Sequence, residues 1–229
     1  NPFFSTNQDV SDLPGGEYEV VLIDSNDCVQ NLFIELTFPD SIGIFLDAFQ
    51  YIGGEELSCP DASDGSITSI VEGGTTDYSY NWSGPPGFPG AITPNLSDLP
   101  EGTYVLEITD ENGCMNSESV RIDPPDSLIL GISSPVFFGG YNISCNGESD
   151  GSIELSIEGG VPGYTVDWNG PEGYSSAEVN INNLIAGEYC ATVADTNGCE
   201  EIICINLTEP EPLTGSATSP TFDGGWNID

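Results

Sequence analysis

A period of 86 residues runs through this chain and limits its folds to a tandem array of one small module. Leu13-Pro-Gly-Gly-Glu-Tyr18, followed by Asp24 and Cys28, returns as Leu99-Pro-Glu-Gly-Thr-Tyr104 with Asp110 and Cys114. A third copy reads Leu184-Ile-Ala-Gly-Glu-Tyr189 with Asp195 and Cys199. A second block, Cys59, Asp64-Gly-Ser66, Glu72-Gly-Gly74, Trp82 and Gly84-Pro85, recurs as Cys145, Asp150-Gly-Ser152, Glu158-Gly-Gly160, Trp168 and Gly170-Pro171. Such repetition assigns function to the array rather than to one pocket. Residue 1 falls within a repeat and residue 229 before the next first cysteine, so the sequence reads as a stretch of a longer array.

The strand-like runs are short, alternating and broken by Gly, Pro, Asn and Asp. In the last complete repeat they are 128–133, 152–158, 164–169, 177–181, 188–194 and 201–207. No segment has a useful 3.6-residue apolar period. The pattern predicts an all-β fold: tandem immunoglobulin-like β-sandwich repeats of about 86 residues, arranged as an elongated rod. Proline-rich joints place the boundaries at 1–39 (the end of a repeat), 40–125 and 126–211 (complete repeats), and 212–229 (the start of the next). Leu-x-x-Gly-x-Tyr resembles a tyrosine corner, and Asp-x-Asn-Gly-Cys supplies a tight hairpin turn.

One arginine, no lysine and no histidine stand against 38 acidic residues, a formal charge of -37. Nothing here neutralises a nucleic-acid backbone or an anionic membrane surface, so neither is expected as a partner. The sequence contains no membrane-inserting run. With 38% hydrophobic residues in alternating runs, the chain is expected to fold rather than remain disordered.

Seven cysteines suggest an oxidising, extracellular compartment. Repeat arithmetic pairs Cys59 with Cys114 and Cys145 with Cys199, and leaves Cys28 a partner before residue 1. Strand parity makes Cys190–Cys204 a cross-strand staple on the outer side of one hairpin.

In this order the motifs resemble the SprB-type repeat of Bacteroidota surface proteins. The resemblance implies very long secreted adhesins, among them the gliding-motility filament protein, exported by the type IX system. The Cys190/Cys204 pair and the long stretch between Cys114 and Cys145 depart from a minimal repeat.

Candidate chemistry is sparse. Without His or Lys no general base of the usual kind exists except a carboxylate, and the acids recur as turn residues, so no enzyme is expected. Asp110, Asn112, Asp195 and Asn197 resemble the opening of a calcium loop, but the closing Glu is missing and Asn-Gly already accounts for the turn. Calcium is therefore a candidate ligand and not a required cofactor. Ser41 and Ser127 lie in Asp-Ser-aliphatic tripeptides at two joints, which fits the O-glycosylation signal associated with that phylum. Trp82 and Trp168, with Tyr80 and Tyr164, fit a core better than a sugar-binding surface. The loop Gly84–Gly90 is the better place for variable contacts.

The expected role is a structural and adhesive segment of a secreted surface filament or stalk. Its partners would be neighbouring repeats, neighbouring filaments or surface glycans. The competing readings are a carbohydrate- or calcium-binding repeat module and a passive spacer of a large secreted enzyme.

Overall fold

The computed structural model describes residues 5–7 and 9–218. The expected 212–229 start of a repeat lies largely outside them. Among the described residues, apart from one 3-10 turn at Pro171–Gly173, the regular elements are all strands. They are β1 (Gly16–Ile23), β2 (Val29–Leu36), β3 (Gly43–Ala48), β4 (Gly65–Glu72), β5 (Ser79–Ser83), β6 (Leu96–Leu99), β7 (Gly102–Thr109) and β8 (Met115–Ile122). The same order continues as β9 (Ile129–Ser133), β10 (Gly151–Glu158), β11 (Thr165–Asn169), β12 (Ser175–Ser176), β13 (Ile181–Leu184), β14 (Gly187–Ala194) and β15 (Glu200–Leu207).

Packing divides the chain into two compact units. The first takes the described residues up to Asp47, with Thr68–Asn95 and Tyr104–Val120. The second takes Ala48–Ile67, Leu96–Thr103 and the described residues from Arg121 onward.

The second unit holds one whole sandwich. One sheet has the order β13-β10-β9 and the other β12-β11-β14-β15. Alternation drives their closure: Tyr189, Ala191 and Val193 on β14 point into the core, as do Ile153 and Leu155 on β10. Val166, Trp168, Ile181, Leu184, Ile143 and Leu207 complete that cluster, so both sheets contribute to one apolar layer. This is the all-β, immunoglobulin-like sandwich expected from the sequence.

The preceding repeat has the matching sheet orders β3-β4-β6 and β5-β7-β8. Its Ile67, Trp82, Leu99, Tyr104, Leu106, Ile108 and Ile122 occupy corresponding positions and are buried. The β1–β2 hairpin copies β14–β15 residue for residue: Gly16 faces Leu36 and Tyr18 faces Ile34, as Gly187 faces Leu207 and Tyr189 faces Ile205. Its apolar side chains, Phe33 and Ile23 among them, are exposed.

Expected strand positions agree to within a residue or two, except at 177–181. The structure puts a strand at Ile181–Leu184, because Asn183 adopts a positive φ of 58° and the Ile-Asn-Asn-Leu run buries only its two ends.

Two disulfides form, and one corrects the expected pairing. Cys190–Cys204 joins directly opposed residues of β14 and β15, a cross-strand staple. The other joins Cys59 to Cys199, 140 residues apart in sequence. Cys59–Cys114 and Cys145–Cys199 do not form, and Cys28, Cys114 and Cys145 are free and exposed.

The geometry of the sandwich explains why. The loop carrying Cys145 is tied to the end of β15, where Asn142 and Ile143 donate their amides to Thr208 O at 2.9 and 3.1 Å. Cys199 sits before the start of β15. An eight-residue strand separates the two ends by roughly 25 Å, and a disulfide needs Cα atoms within about 7 Å. The cysteines of one repeat thus lie at opposite ends of it.

Candidate functional site

The candidate site is the junction closed by Cys59–Cys199, where the loop of one repeat meets the hairpin turn of the next. Both halves are built from local sequence.

The turn half is Asp195-Thr-Asn-Gly-Cys199. Asp195, only 6% exposed, accepts the amides of Asn197 and Cys199 on Oδ1, both at 2.9 Å, and that of Val161 on Oδ2 at 2.9 Å. An acidic side chain satisfied this way fixes the turn and pins it to the β10–β11 loop. Thr196 adds a hydroxyl bond to Pro162 O at 2.6 Å. The same turn occurs at Asp110–Cys114, where Oδ1 accepts the Cys114 amide at 2.8 Å and Oδ2 the Thr75 amide at 3.0 Å. It occurs again at Asp24, which accepts from Asn26 at 2.8 Å and Cys28 at 2.9 Å. Burial works against the Asp110 carboxylate, but the amides of Thr75, Cys114 and Asn112 outweigh it and hold its pKa below the ordinary carboxylate value. Asp24 is lowered as well, by the Cys28 and Asn26 amides.

The loop half runs from Tyr51 to Asp64. Tyr51 N donates to Glu55 O at 2.9 Å and Gly54 N to Tyr51 O at 3.1 Å, which makes a tight tip. Asp64 Oδ1 accepts the Ser58 amide at 3.2 Å and braces the segment leading to Cys59. Glu56 and Leu57 donate their amides to Asp123 O at 3.1 and 3.2 Å, so the loop is held at the joint between repeats.

The halves meet at several points besides the disulfide. Asn197 Nδ2 donates to Ile52 O at 3.0 Å and to Ser58 O at 3.3 Å. Gly53, at φ 110°, lies against Val161, and a Cβ there would come within 3.1 Å of its side chain. The disulfide, the Asn197 amide and the Gly53–Val161 contact hold the two halves together.

The residues considered for calcium fall in two separate turns, Asp110 with Asn112 and Asp195 with Asn197. The carboxylates receive backbone amides, while Asn112 Nδ2 donates to Thr75 Oγ1 at 2.8 Å and Asn197 Nδ2 to the loop carbonyls. Among the described residues no three His, Cys, Asp or Glu side chains gather as metal ligands. Ser41 and Ser127 are exposed, each beside a Gly-Gly turn whose Gly74 or Gly160 amide donates to the carbonyl of the preceding Asp40 or Asp126.

Trp82 and Trp168 are core residues, 1% and 0% exposed, and their indole N–H groups donate to Thr93 O and Glu178 O at 2.9 Å. Tyr164 donates its hydroxyl to Gly159 O. Most of the Gly84–Gly90 loop is exposed, but its Phe88 packs inward and meets Tyr104 edge-on at 5.3 Å. Tyr174 does the same to Tyr189 at 5.4 Å. Gly84 and Gly170 leave room for those rings, since a Cβ would approach Tyr104 and Tyr189 within 2.9 and 2.6 Å. The recurrence of Gly-Pro with a later aromatic was the sequence signal for this. The corner itself is present: Tyr189 donates to Ile185 O at 3.2 Å and Tyr18 to Pro14 O at 2.5 Å.

Fold and junction together define a tandem-repeat protein of immunoglobulin-like sandwiches. The model of the SprB repeat matches residues 55–87 and 141–173, two places in the chain that support a SprB-type repeat region. Both matches begin in the loop half of the junction and end just past Gly-Pro. Among solved structures the chain is similar to DIP-gamma IG1+IG2, at 12% identity over 72% of this chain and 98% of that one, with a TM-score of 0.33. Murine CEACAM1b is 14% identical over 73% and 100%, with a TM-score of 0.27. The tandem V-type regions of VCBP3, a v-region-containing chitin binding protein, are 9% identical over 71% and 99%, with a TM-score of 0.24. No curated protein matches the chain in sequence.

Proposed function

We propose that this chain is a load-bearing, adhesive segment of a secreted cell-surface filament or stalk. The observation that carries the reading is the Cys59–Cys199 bond, which closes a junction between successive modules instead of a pocket within one. SprB-repeat sequence and an immunoglobulin-like sandwich fit a cell-surface structural module. Disulfides suit an oxidising exterior, and among the described residues no helix is long and apolar enough to cross a membrane. Under tension the bond would limit how far the enclosed residues extend. The surplus of acidic groups would keep neighbouring filaments apart unless a specific contact joins them. Surface glycans and substrata are the expected partners, and the exposed joint serines Ser41 and Ser127 the expected carriers of O-linked sugar.

The test is made on producing cells. Antibody raised against this chain is expected to label intact cells, and deletion of the region to reduce their attachment to a surface. Absence of surface label, or attachment unaffected by the deletion, would overturn the reading.

A further inference from the structure

The three free cysteines and the one closed junction are explained together by a single rule. We propose that the Cys59–Cys199 bond is one rung of a covalent ladder, in which the loop cysteine of each repeat pairs with the turn cysteine of the repeat after it. Cys145 would then bond to a following copy of the turn, and Cys28 and Cys114 to preceding copies of the loop. The partner is another copy of this repeat. The inference rests on the reading of the chain as a run of structural modules.

Both halves are already shaped in every copy. The loop tip at Phe137 repeats that at Tyr51: Phe137 N donates to Tyr141 O at 2.8 Å and Gly140 N to Phe137 O at 3.1 Å. Asp150 Oδ1 receives the Ser144 amide at 3.0 Å, as Asp64 receives that of Ser58. Cys145 O accepts the Glu148 amide at 3.2 Å, as Cys59 O accepts that of Ala62 at 3.0 Å. Asn142 and Ile143 donate to Thr208 O, as Glu56 and Leu57 do to Asp123 O. The turns at Asp24, Asp110 and Asp195 share their closing bonds, from the aspartate amide to the cysteine carbonyl, at 3.1, 2.9 and 3.0 Å.

Only the seating differs. In the closed junction Cys59, Ser58, Asn197 and Cys199 are half-buried, whereas Cys145, Ser144, Asn112 and Cys114 are exposed. At the loop tip Ile52 is 63% exposed, while its counterpart Phe138 is 105% exposed. Asn112, with no loop to bond, turns its amide to Thr75, the counterpart of Val161. Cys114 borders a cleft of about 390 Å³, with Ile42, Gly74, Asp110 and Met115 around it.

Each rung forms when two thiols give up two protons and two electrons to a disulfide oxidant, whose S–S bond breaks and which leaves as two thiols. Oxidised glutathione serves as the oxidant in the test. The 229-residue chain is oxidised, alkylated without reduction and mapped by mass spectrometry. The expected result is linked peptides 59–199 and 190–204, with alkyl groups on Cys28, Cys114 and Cys145. One further copy of residues 126–211 is then inserted after Glu211. Cys145 should become linked to the added copy's turn cysteine, leaving three free thiols again. Cys59→Ser in the original chain should free Cys199 without its capturing Cys145, which covers the case in which the lengthened chain does not fold. Cys59–Cys114 or Cys145–Cys199 linkage, or a Cys145 that stays alkylated in the folded longer chain, would overturn the ladder. None of these outcomes bears on surface display or attachment, which are tested on cells.

Discussion

The turns at Asp110–Cys114 and Asp195–Cys199 are near copies in sequence and in hydrogen bonding, yet one is closed over by a neighbouring loop and the other is open. The aspartate brace is the same in both. What differs is the direction of one asparagine amide, the burial of one cysteine and the presence of a bond to a cysteine 140 residues away. Local sequence therefore sets the shape of each half, and a second module sets its use. A repeat protein can prefabricate its joints in this way, with each copy carrying a complete loop and a complete turn that never meet inside that copy.

If this is right, changes to the shared core should affect both repeats alike. Trp82→Ala and Trp168→Ala are each expected to cost about 4 kcal/mol in chemical denaturation, since each empties a fully enclosed site. A large difference between them would show that the two sandwiches are not equivalent. Cys59→Ser should cost about 5 kcal/mol in the second unit, because it opens a loop of 140 residues. Cys114→Ser, at the open turn, should cost almost nothing.

Asp195→Ala removes the acceptor of three amides and should cost about 3 kcal/mol by thermal or denaturant melting. It should also slow reoxidation of Cys199 with Cys59. Asp110→Ala should disturb the open turn and leave the 59–199 bond intact. Asp110 also makes a pH prediction. The folded Asp110 pKa is depressed from its reference of 3.8. Its contribution is therefore complete above that value and is lost as pH falls through the lower folded pKa. Asp110→Asn should flatten the acid limb of the stability curve, measured by denaturant titration between about pH 5 and pH 2. An unchanged limb would mean the brace is not ionic. The smallest effect is at the corner: Tyr189→Phe deletes one hydroxyl bond and should cost about 1 kcal/mol.

Much of this was legible in the sequence. Alternation on Tyr104-Leu106-Ile108 and Tyr189-Ala191-Val193 predicted the core face, and Asn-Gly predicted the hairpin turns. Parity placed Cys190 against Cys204. The Cys59 partner was not legible, because repeat spacing is satisfied equally by pairing within a module and by pairing with the next. Choosing between them needs the positions of the loop and turn at opposite ends of β15, a fact of topology and not of spacing. The β13 strand was misplaced for a related reason: Asn183 and Asp98 take a left-handed conformation, which breaks the alternation that marks a strand. The role of Phe88 and Tyr174 was missed because an aromatic in a Gly-Pro loop reads as exposed. Here it covers the corner tyrosine.

Stretching single molecules of the chain between its termini, oxidised and then reduced, tests the clasp between modules most directly. With Cys59 bonded to Cys199, the residues between them are withheld from extension. Reduction should then release roughly 480 Å of additional contour for the separation of 140 residues. A gain of only about 370 Å, the length enclosed by bonds within each repeat, or no gain at all, would contradict the account.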